Sequence, residues 1–395
     1  MGREVVVLGV GMTKIGKFVE RSFKELTGEV VASALKDAQI AKDAIRAAYV
    51  GNVEAGAVSK QIMVQGQVWL RPAGIGDLPV VNVNNACGTG GTALYLAWLD
   101  IASGYHDCVL ALGVEKMHGK KDREEGVRWL NMAKDQDELP PEGPSGEKLG
   151  AAMSRFSRLA QSYIRDGLLT KEQIGSICVK NHFNASLNPY AQYRKAFTLD
   201  EVFESPVISE PIHRAMCATI ADGAAAAILC SADFARRHTA KPVSIATVVL
   251  RSGSAEATPP HPNLHTRCAR EAYERAGIDP RDIDVWEIGN PTSFNEILSY
   301  EELGICEAGN VAALIAGGAT ALTGVSPVNP AGGHEGRGHP AGATGIGQIV
   351  ELVWQMRGQA GERQIPKPLK TAASHIYGGE LGAESAACTT TILKM

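Results

Sequence analysis

Residues 78–104, LPVVNVNNACGTGGTALYLAWLDIASG, read as a strand, a sharp turn and the start of a long helix, and CVLALGVEKM at 108–117 follows as a second strand. An apolar β-branched run that breaks into glycines and then takes up a helical period is the pattern of a β-turn-α-β unit. Working outward, EVVVLGV at 4–10 is a buried-type strand. KELTGEVVASALKDA at 24–38 is an amphipathic helix stopping near Gln39 to Asp43, and AAYVGNVEAG at 47–56 holds another short strand. Past the second strand, His118 to Lys148 is charged and broken by Pro and Gly, which suggests an inserted loop region serving as a lid or a partner surface.

The same order of elements returns later in the chain. PVSIATVVL at 242–250 is a strand, HTRCAREAYERAG from His265 has a helical period, and EGRGHPAGATGIGQIVELVWQ at 335–355 is again a glycine turn feeding a helix. Residues 34–52 written over 272–290 match without a gap at Ala34/Ala272, Ala38/Ala276, Ile40/Ile278, Ile45/Ile283, Gly51/Gly289 and Asn52/Asn290. A duplication follows, with two α/β halves. If they pack about a pseudo-two-fold axis, two helix N-termini, one carrying Cys87 and one carrying His339, meet near a shared centre. The expected boundaries are 1–117 with about 205–240 for the first half, 118–204 for the insertion and 241–395 for the second half.

Composition narrows the function. In 395 residues, 39 Lys and Arg stand against 43 Asp and Glu, a net charge of −4, which argues against a nucleic-acid surface. The eight cysteines form no Cys-x-x-Cys pair and no zinc-ligand spacing, so no metal is expected in this chain. With no run near twenty apolar residues, a soluble, reduced, cytoplasmic protein without membrane contact is expected. LGVGMTKIG fails the dinucleotide fingerprint at Lys14, and the phosphate-loop, serine-hydrolase and zincin motifs are missing.

Cys87 is the strongest chemical candidate, because a cysteine between a strand and a glycine-flanked helix start meets the helix dipole and free N–H groups. A lowered thiol pKa is expected there, and Gly88, Gly90 and Gly91 leave room for a substrate. The alternative is a buried small hydrophobe. His339, in RGHPAGATG, stands at a turn before a helix and suits a general base, although a histidine beside proline is often structural. His375, in HIYGGELG, is a third candidate or a strand-end histidine, and the N–H groups of Gly378 and Gly379 lie in a turn that could hold a bound carbonyl.

Taken together, NNACGTGGTALYLAW, GVEKM, KNHFNASLNPYAQYRK, ADGAAAAILCS, NPAGGHEGRGHPAGATG and HIYGGELG resemble, in order and nearly end to end, the thiolase superfamily and its sterol-carrier or lipid-transfer branch. The resemblance implies an α/β thiolase fold of two βαβαβαββ halves in five layers, α/β/α/β/α, with a loop region that helps bind coenzyme A, and a tight homodimer. It implies that Cys87 is acylated by a 3-oxoacyl-CoA, that His339 activates its thiol, and that coenzyme A is a co-substrate with no permanently bound cofactor. Backbone N–H groups of Cys87 and of the Gly378/Gly379 turn would stabilise the oxyanion.

Two departures touch the carbanion step. GNPTSF at 289–294 puts Gly289 in the column where the family carries Asn or His, leaving Asn290 as a candidate for the oxyanion role. The family's second cysteine, in C-x-G, is missing from HIYGG, where His375 is the candidate replacement. The resemblance then implies an atypical degradative thiolase with a bulky or aromatic substrate, as in benzoylsuccinyl-CoA or steroid side-chain breakdown, working with a small zinc-ribbon/OB-fold partner subunit. The alternatives are a partner-dependent retro-aldolase on a 3-hydroxyacyl-CoA and a non-catalytic acyl-CoA-binding subunit.

Overall fold

The computed structural model describes residues 2–119, 133, 151–238, 240–254, 262–382 and 384–395. Most of the expected His118–Lys148 loop lies outside the described residues. From 151 onward the span expected as inserted loop instead carries helices at Ala151–Arg165, Lys171–Ser186 and Leu199–Glu204.

Among the described residues, nine strands share one mixed sheet: β1 (Val5–Met12), β2 (Ala48–Gly51), β3 (Val80–Val83), β4 (Cys108–Glu115), β7 (Gly223–Ser231), β8 (Val243–Ser252), β9 (Val285–Ile288), β10 (Thr371–Leu381) and β11 (Glu384–Lys394), while β5 (Val207–Ser209) and β6 (Ile212–His213) form a separate ribbon. The order β3-β2-β4-β7-β1-β8-β11-β10-β9 is two copies of one arrangement joined back to back. β8, β9, β10 and β11 take the places of β1, β2, β4 and β7. The halves meet where β1 runs antiparallel to β8, with Val5 opposite Ile245 and Val7 opposite Val243. β3 is matched in the second half only by an isolated parallel bridge between Trp286 and Val328.

The layers follow from which faces are apolar. β1, β4 and β7 are buried along their whole length, as strands covered on both sides must be. The helix Phe23–Ala38 closes one outer face with a stripe of Leu26, Val30, Val31, Ala34 and Ala38. It opens on a Ser22–Glu25 capping box and ends where Gln39 turns left-handed. Its counterpart Leu264–Ala276 covers β8 and β11 on the opposite outer face and stops at the aligned alanine, with Gly277 left-handed. Between the two sheet halves lie the helices Thr89–Ser103 and Ala341–Arg357, packed on each other in a core that includes Leu94, Ile101, Ile346 and Val350. That completes the five layers, α/β/α/β/α, expected from the sequence.

These two central helices cross almost backbone to backbone. A Cβ on Gly90 would stand 2.9 Å from the amide nitrogen of Gly345, and one on Gly345 would stand 2.4 Å from that of Gly91. Only glycine permits that approach, and it brings the two helix starts together. Among the described residues, no helix is long and apolar enough to cross a membrane.

Candidate active site

Cys87 and His339 occupy equivalent places, each two residues before the first residue of a central helix. The left-handed Ala86, at φ 48°, forces the chain from β3 into a tight turn, and Gly88 and Thr89 donate back to Asn85 and Ala86. On the other half, His339 donates its backbone N–H to Thr219 O at 2.8 Å. The result is a contact of 3.1 Å between His339 Nε2 and Cys87 Sγ. On its far side His339 Nδ1 lies 2.9 Å from Thr344 Oγ1, whose hydroxyl donates to Pro340 O. Thr344 must therefore accept, so the proton sits on Nδ1 and the lone pair of Nε2 faces the sulfur.

The charge state corrects the sequence reading of an acidic thiol. Burial, with Glu54 and Glu115 nearby, pushes the Cys87 thiol up to about 12. Burial, with Arg337 nearby, brings the His339 imidazolium down to about 3. Desolvation outweighs the helix start, and the resting pair is a neutral thiol beside a neutral imidazole.

Gly378 stands against the turn that carries Cys87. A Cβ there would lie 2.4–2.6 Å from Gly88 N, Cys87 N and Asn85 O. Its backbone thereby lies against the turn that carries Cys87, where the sequence reading expects an oxyanion hole. Gly379, at φ 70°, follows it along the same wall, and both glycines lie within strand β10 rather than in the turn expected from the sequence.

His375 is placed elsewhere, which corrects its candidacy for the second cysteine's role. Successive residues of β10 point to opposite faces. Ile376 and Gly378 turn toward the central helices, and His375 turns outward into the core beneath Leu264–Ala276. There it is fully buried, with Nε2 2.9 Å from His265 Nδ1 and Nδ1 2.9 Å from Thr390 Oγ1. With Gly378 as the glycine of C-x-G, the cysteine's position belongs to Ile376. His265, His375 and Cys388 gather three potential metal ligands within 4.8 Å of one another, but the two imidazoles already satisfy each other by hydrogen bonding.

Asn290 is likewise turned away, which corrects its oxyanion candidacy. Its Nδ2 donates to Glu335 Oε2 at 2.6 Å and Glu296 Oε2 at 3.0 Å, and its Oδ1 accepts from His334 N at 2.8 Å. No side-chain donor of Asn290 is left to aim at a substrate. Burial, with Glu296 nearby, holds the Glu335 carboxyl well above the usual carboxylate range, and Ser293 and Asn181 also donate to it.

A cavity of about 880 Å³ opens on Cys87 and His339. Met153, Phe156, Leu159, Leu298 and Ile376 supply apolar wall, Arg155, Glu302, Glu380 and Glu384 supply charge, and His265, Gly289, His334, Tyr377, Gly378 and Gly379 also line it. Sequence reasoning passed over His334, Tyr377 and Glu54. His334 was legible only as a second histidine in HEGRGHP, five residues before His339.

Residues 5–233 match the family model for the thiolase N-terminal domain, and residues 254–393 match the one described as thiolase C-terminal domain-like. The chain is 37% identical over 391 residues to an acetyl-CoA acetyltransferase of Methanothermobacter thermautotrophicus, covering 96% of this chain and 97% of that protein. It is 36% identical to sterol carrier protein 2 of Bos taurus, over 95% of this chain and 70% of that one. Benzoylsuccinyl-CoA thiolase subunit BbsB of Thauera aromatica is 33% identical, with 98% of each chain covered. Among solved structures, an Ltp2-ChsH2(DUF35) aldolase superposes with a TM-score of 0.79 at 22% identity, over 99% of this chain and 97% of that one. Human mitochondrial 3-ketoacyl-CoA thiolase superposes with a TM-score of 0.72 at 18% identity, over 99% and 98%. These two likenesses speak for the fold.

Proposed function

Because this chain belongs to the thiolase family and is a thiolase-type acyltransferase, we propose that it cleaves a 3-oxoacyl-CoA with coenzyme A through an acyl-enzyme on Cys87, with His339 as the base. The observation that carries this reading is the 3.1 Å contact between Cys87 Sγ and the unprotonated nitrogen of His339 at the floor of a cavity.

With the thiol at about 12 and the imidazolium at about 3, a resting ion pair is strongly disfavoured, so proton transfer has to accompany attack. As Cys87 Sγ bonds to C3 of the substrate, its proton passes to His339 Nε2, and the C3 oxyanion meets the N–H groups of Cys87 and Gly378. The C2–C3 bond then breaks, and its electron pair moves into the thioester enolate. The proton taken from Cys87 is the one C2 needs, and the strongly acidic imidazolium of His339 delivers it. The shorter acyl-CoA leaves. In the second half the coenzyme A thiol gives its proton to His339 and attacks the acyl group, and Cys87 departs and is reprotonated.

A cavity near the upper end of the usual ~300–1,000 Å³ for small-molecule sites, walled by Met153, Phe156, Leu159 and Leu298, favours a bulky or aromatic acyl group. Met153–Leu159 belong to the insertion at 118–204, between a first half at 1–117 with about 205–240 and a second half at 241–395, and Arg155 there suits a phosphate of coenzyme A. Exposed Ile62, Met63, Val64 and Val81 beside the edge strand β3 support a homodimer built on that edge. The relative named a thiolase subunit, and the structural neighbour titled as a complex, support a small zinc-ribbon/OB-fold partner for this chain as well.

Intact-protein mass spectrometry after mixing with 3-oxoacyl-CoAs tests the reading. An adduct on Cys87 that Cys87→Ala abolishes is expected, with consumption of free coenzyme A. An adduct on another residue, or release of an aldehyde or ketone from a 3-hydroxyacyl-CoA without coenzyme A consumption, would replace thiolysis by another chemistry.

A further inference from the structure

His334 is a titratable group on the cavity wall that the mechanism above leaves idle. It is 2% exposed, and among the described residues neither ring nitrogen has a hydrogen-bond partner. A buried imidazole left without a hydrogen-bond partner carries an uncompensated desolvation cost. Here the ring faces the cavity and lies on His339, with ring centroids 4.2 Å apart and planes 18° from parallel.

The ring is held in that place from both ends. Its backbone N–H donates to Asn290 Oδ1 at 2.8 Å, and its backbone carbonyl accepts from Thr219 N at 3.2 Å. Thr219 O takes the backbone N–H of His339, so one short segment positions both histidines. Gly289 sets how closely the wall packs here. A Cβ there would come 2.9 Å from Ile376 Cδ1, 3.5 Å from Tyr377 Cε1 and 3.7 Å from His334 Cε1, so the bare backbone at 289 lets these three side chains close up beside one another on the cavity wall. Of them, Ile376 has nothing with which to bind charge.

We propose that His334 is a catalytic residue of the cleavage step, its imidazole N–H donating a hydrogen bond to the thioester oxygen as the enolate forms. The inference rests on the cleavage chemistry proposed above. The electron pair of the broken C2–C3 bond comes to reside partly on that oxygen, and the proton stays on His334. Burial, with His339 and Arg337 nearby, holds the His334 imidazolium well below the ordinary histidine range. The ring therefore keeps one N–H and carries no charge, as a neutral donor aimed at a developing oxyanion requires. His339 is left free to carry the proton.

Three reactions of the full-length protein separate this role from a structural one. Deuterium exchange from D2O into the methyl group of acetyl-CoA passes through the enolate, and so does acylation of Cys87 by acetoacetyl-CoA. Direct acetylation of Cys87 by acetyl-CoA does not. His334→Leu should slow the first two by ~10²–10³-fold, the usual cost of removing one oxyanion donor, and leave the third within a few-fold. His334→Gln, which retains an N–H donor, should recover part of the loss, and His334→Ala stands in for the leucine variant if that fails to fold. Equal slowing of all three reactions, or no slowing of exchange, overturns the assignment while the thiolase reading stands. Absence of any Cys87 adduct on the wild-type protein overturns the thiolase reading itself.

Discussion

Cys87 Sγ lies 3.1 Å from His339 Nε2 across 252 positions of chain, and Thr344 determines which nitrogen of that imidazole faces the sulfur. His339→Ala should therefore lower the rate of Cys87 acylation by about 10²–10⁴-fold, the usual worth of a positioned general base. Thr344→Val, which removes only the acceptor for Nδ1–H, should cost about tenfold, in line with one buried hydrogen bond. Single-turnover acylation followed by mass spectrometry measures both, and a Thr344→Val rate equal to wild type would show that the tautomer needs no such partner.

The thiol's resting state predicts its reactivity toward pH. With Cys87 pushed up to about 12, the thiolate fraction is small at neutral pH and grows with each unit of alkalinity. Iodoacetamide labelling of Cys87 should accelerate about tenfold per pH unit from 7 to 10. A plateau below pH 8 would reveal a preformed thiolate and contradict the dominance of burial at this sulfur.

Glu54 is buried with neither carboxylate oxygen hydrogen-bonded among the described residues, and burial, followed by the neighbouring Glu115, pushes it up to about 9. Its folded pKa is raised, so its contribution to stability is fully present below the ordinary carboxylate value. That contribution is lost as pH climbs through 9, because the unfolded chain releases the proton first. Glu54→Gln escapes the loss. It should match wild type near pH 4 and exceed it by on the order of a few kcal/mol near pH 9, read as the difference in Tm. A constant offset across that range would mean that Glu54 is ionised in the fold.

Gly378→Ala tests the oxyanion hole. The new methyl would fall 2.5 Å from Cys87 N with backbone on every side, so β10 must retreat from the turn. Acylation should drop by ~10²-fold or more as the paired N–H groups separate. Gly76→Ala, at an exposed glycine with nothing within 4 Å of the added carbon, serves as the control. Retained acylation in Gly378→Ala would remove its amide from the oxyanion site.

The local elements were legible because their causes are local. The apolar strand before Cys87, the glycines after it, the helix ending at Gln39 and the matched alanines at 38 and 276 all express periodicity or backbone freedom that a few neighbouring residues decide. Motif order and the duplication then sufficed to pair Cys87 with His339. Tertiary structure alone decided what depends on a three-dimensional environment. A slip of one residue along β10 exchanges its faces, which sent His375 into the core and brought Ile376 to the cavity. Asn290 was claimed by Glu296, six residues on, and by Glu335 from a distant segment, Cys87 was made a weak acid by burial, and His334 was left on the cavity wall with no hydrogen-bond partner for its ring among the described residues. Desolvation and hydrogen-bond competition are sums over everything within a few ångströms, and most of that shell comes from elsewhere in the chain.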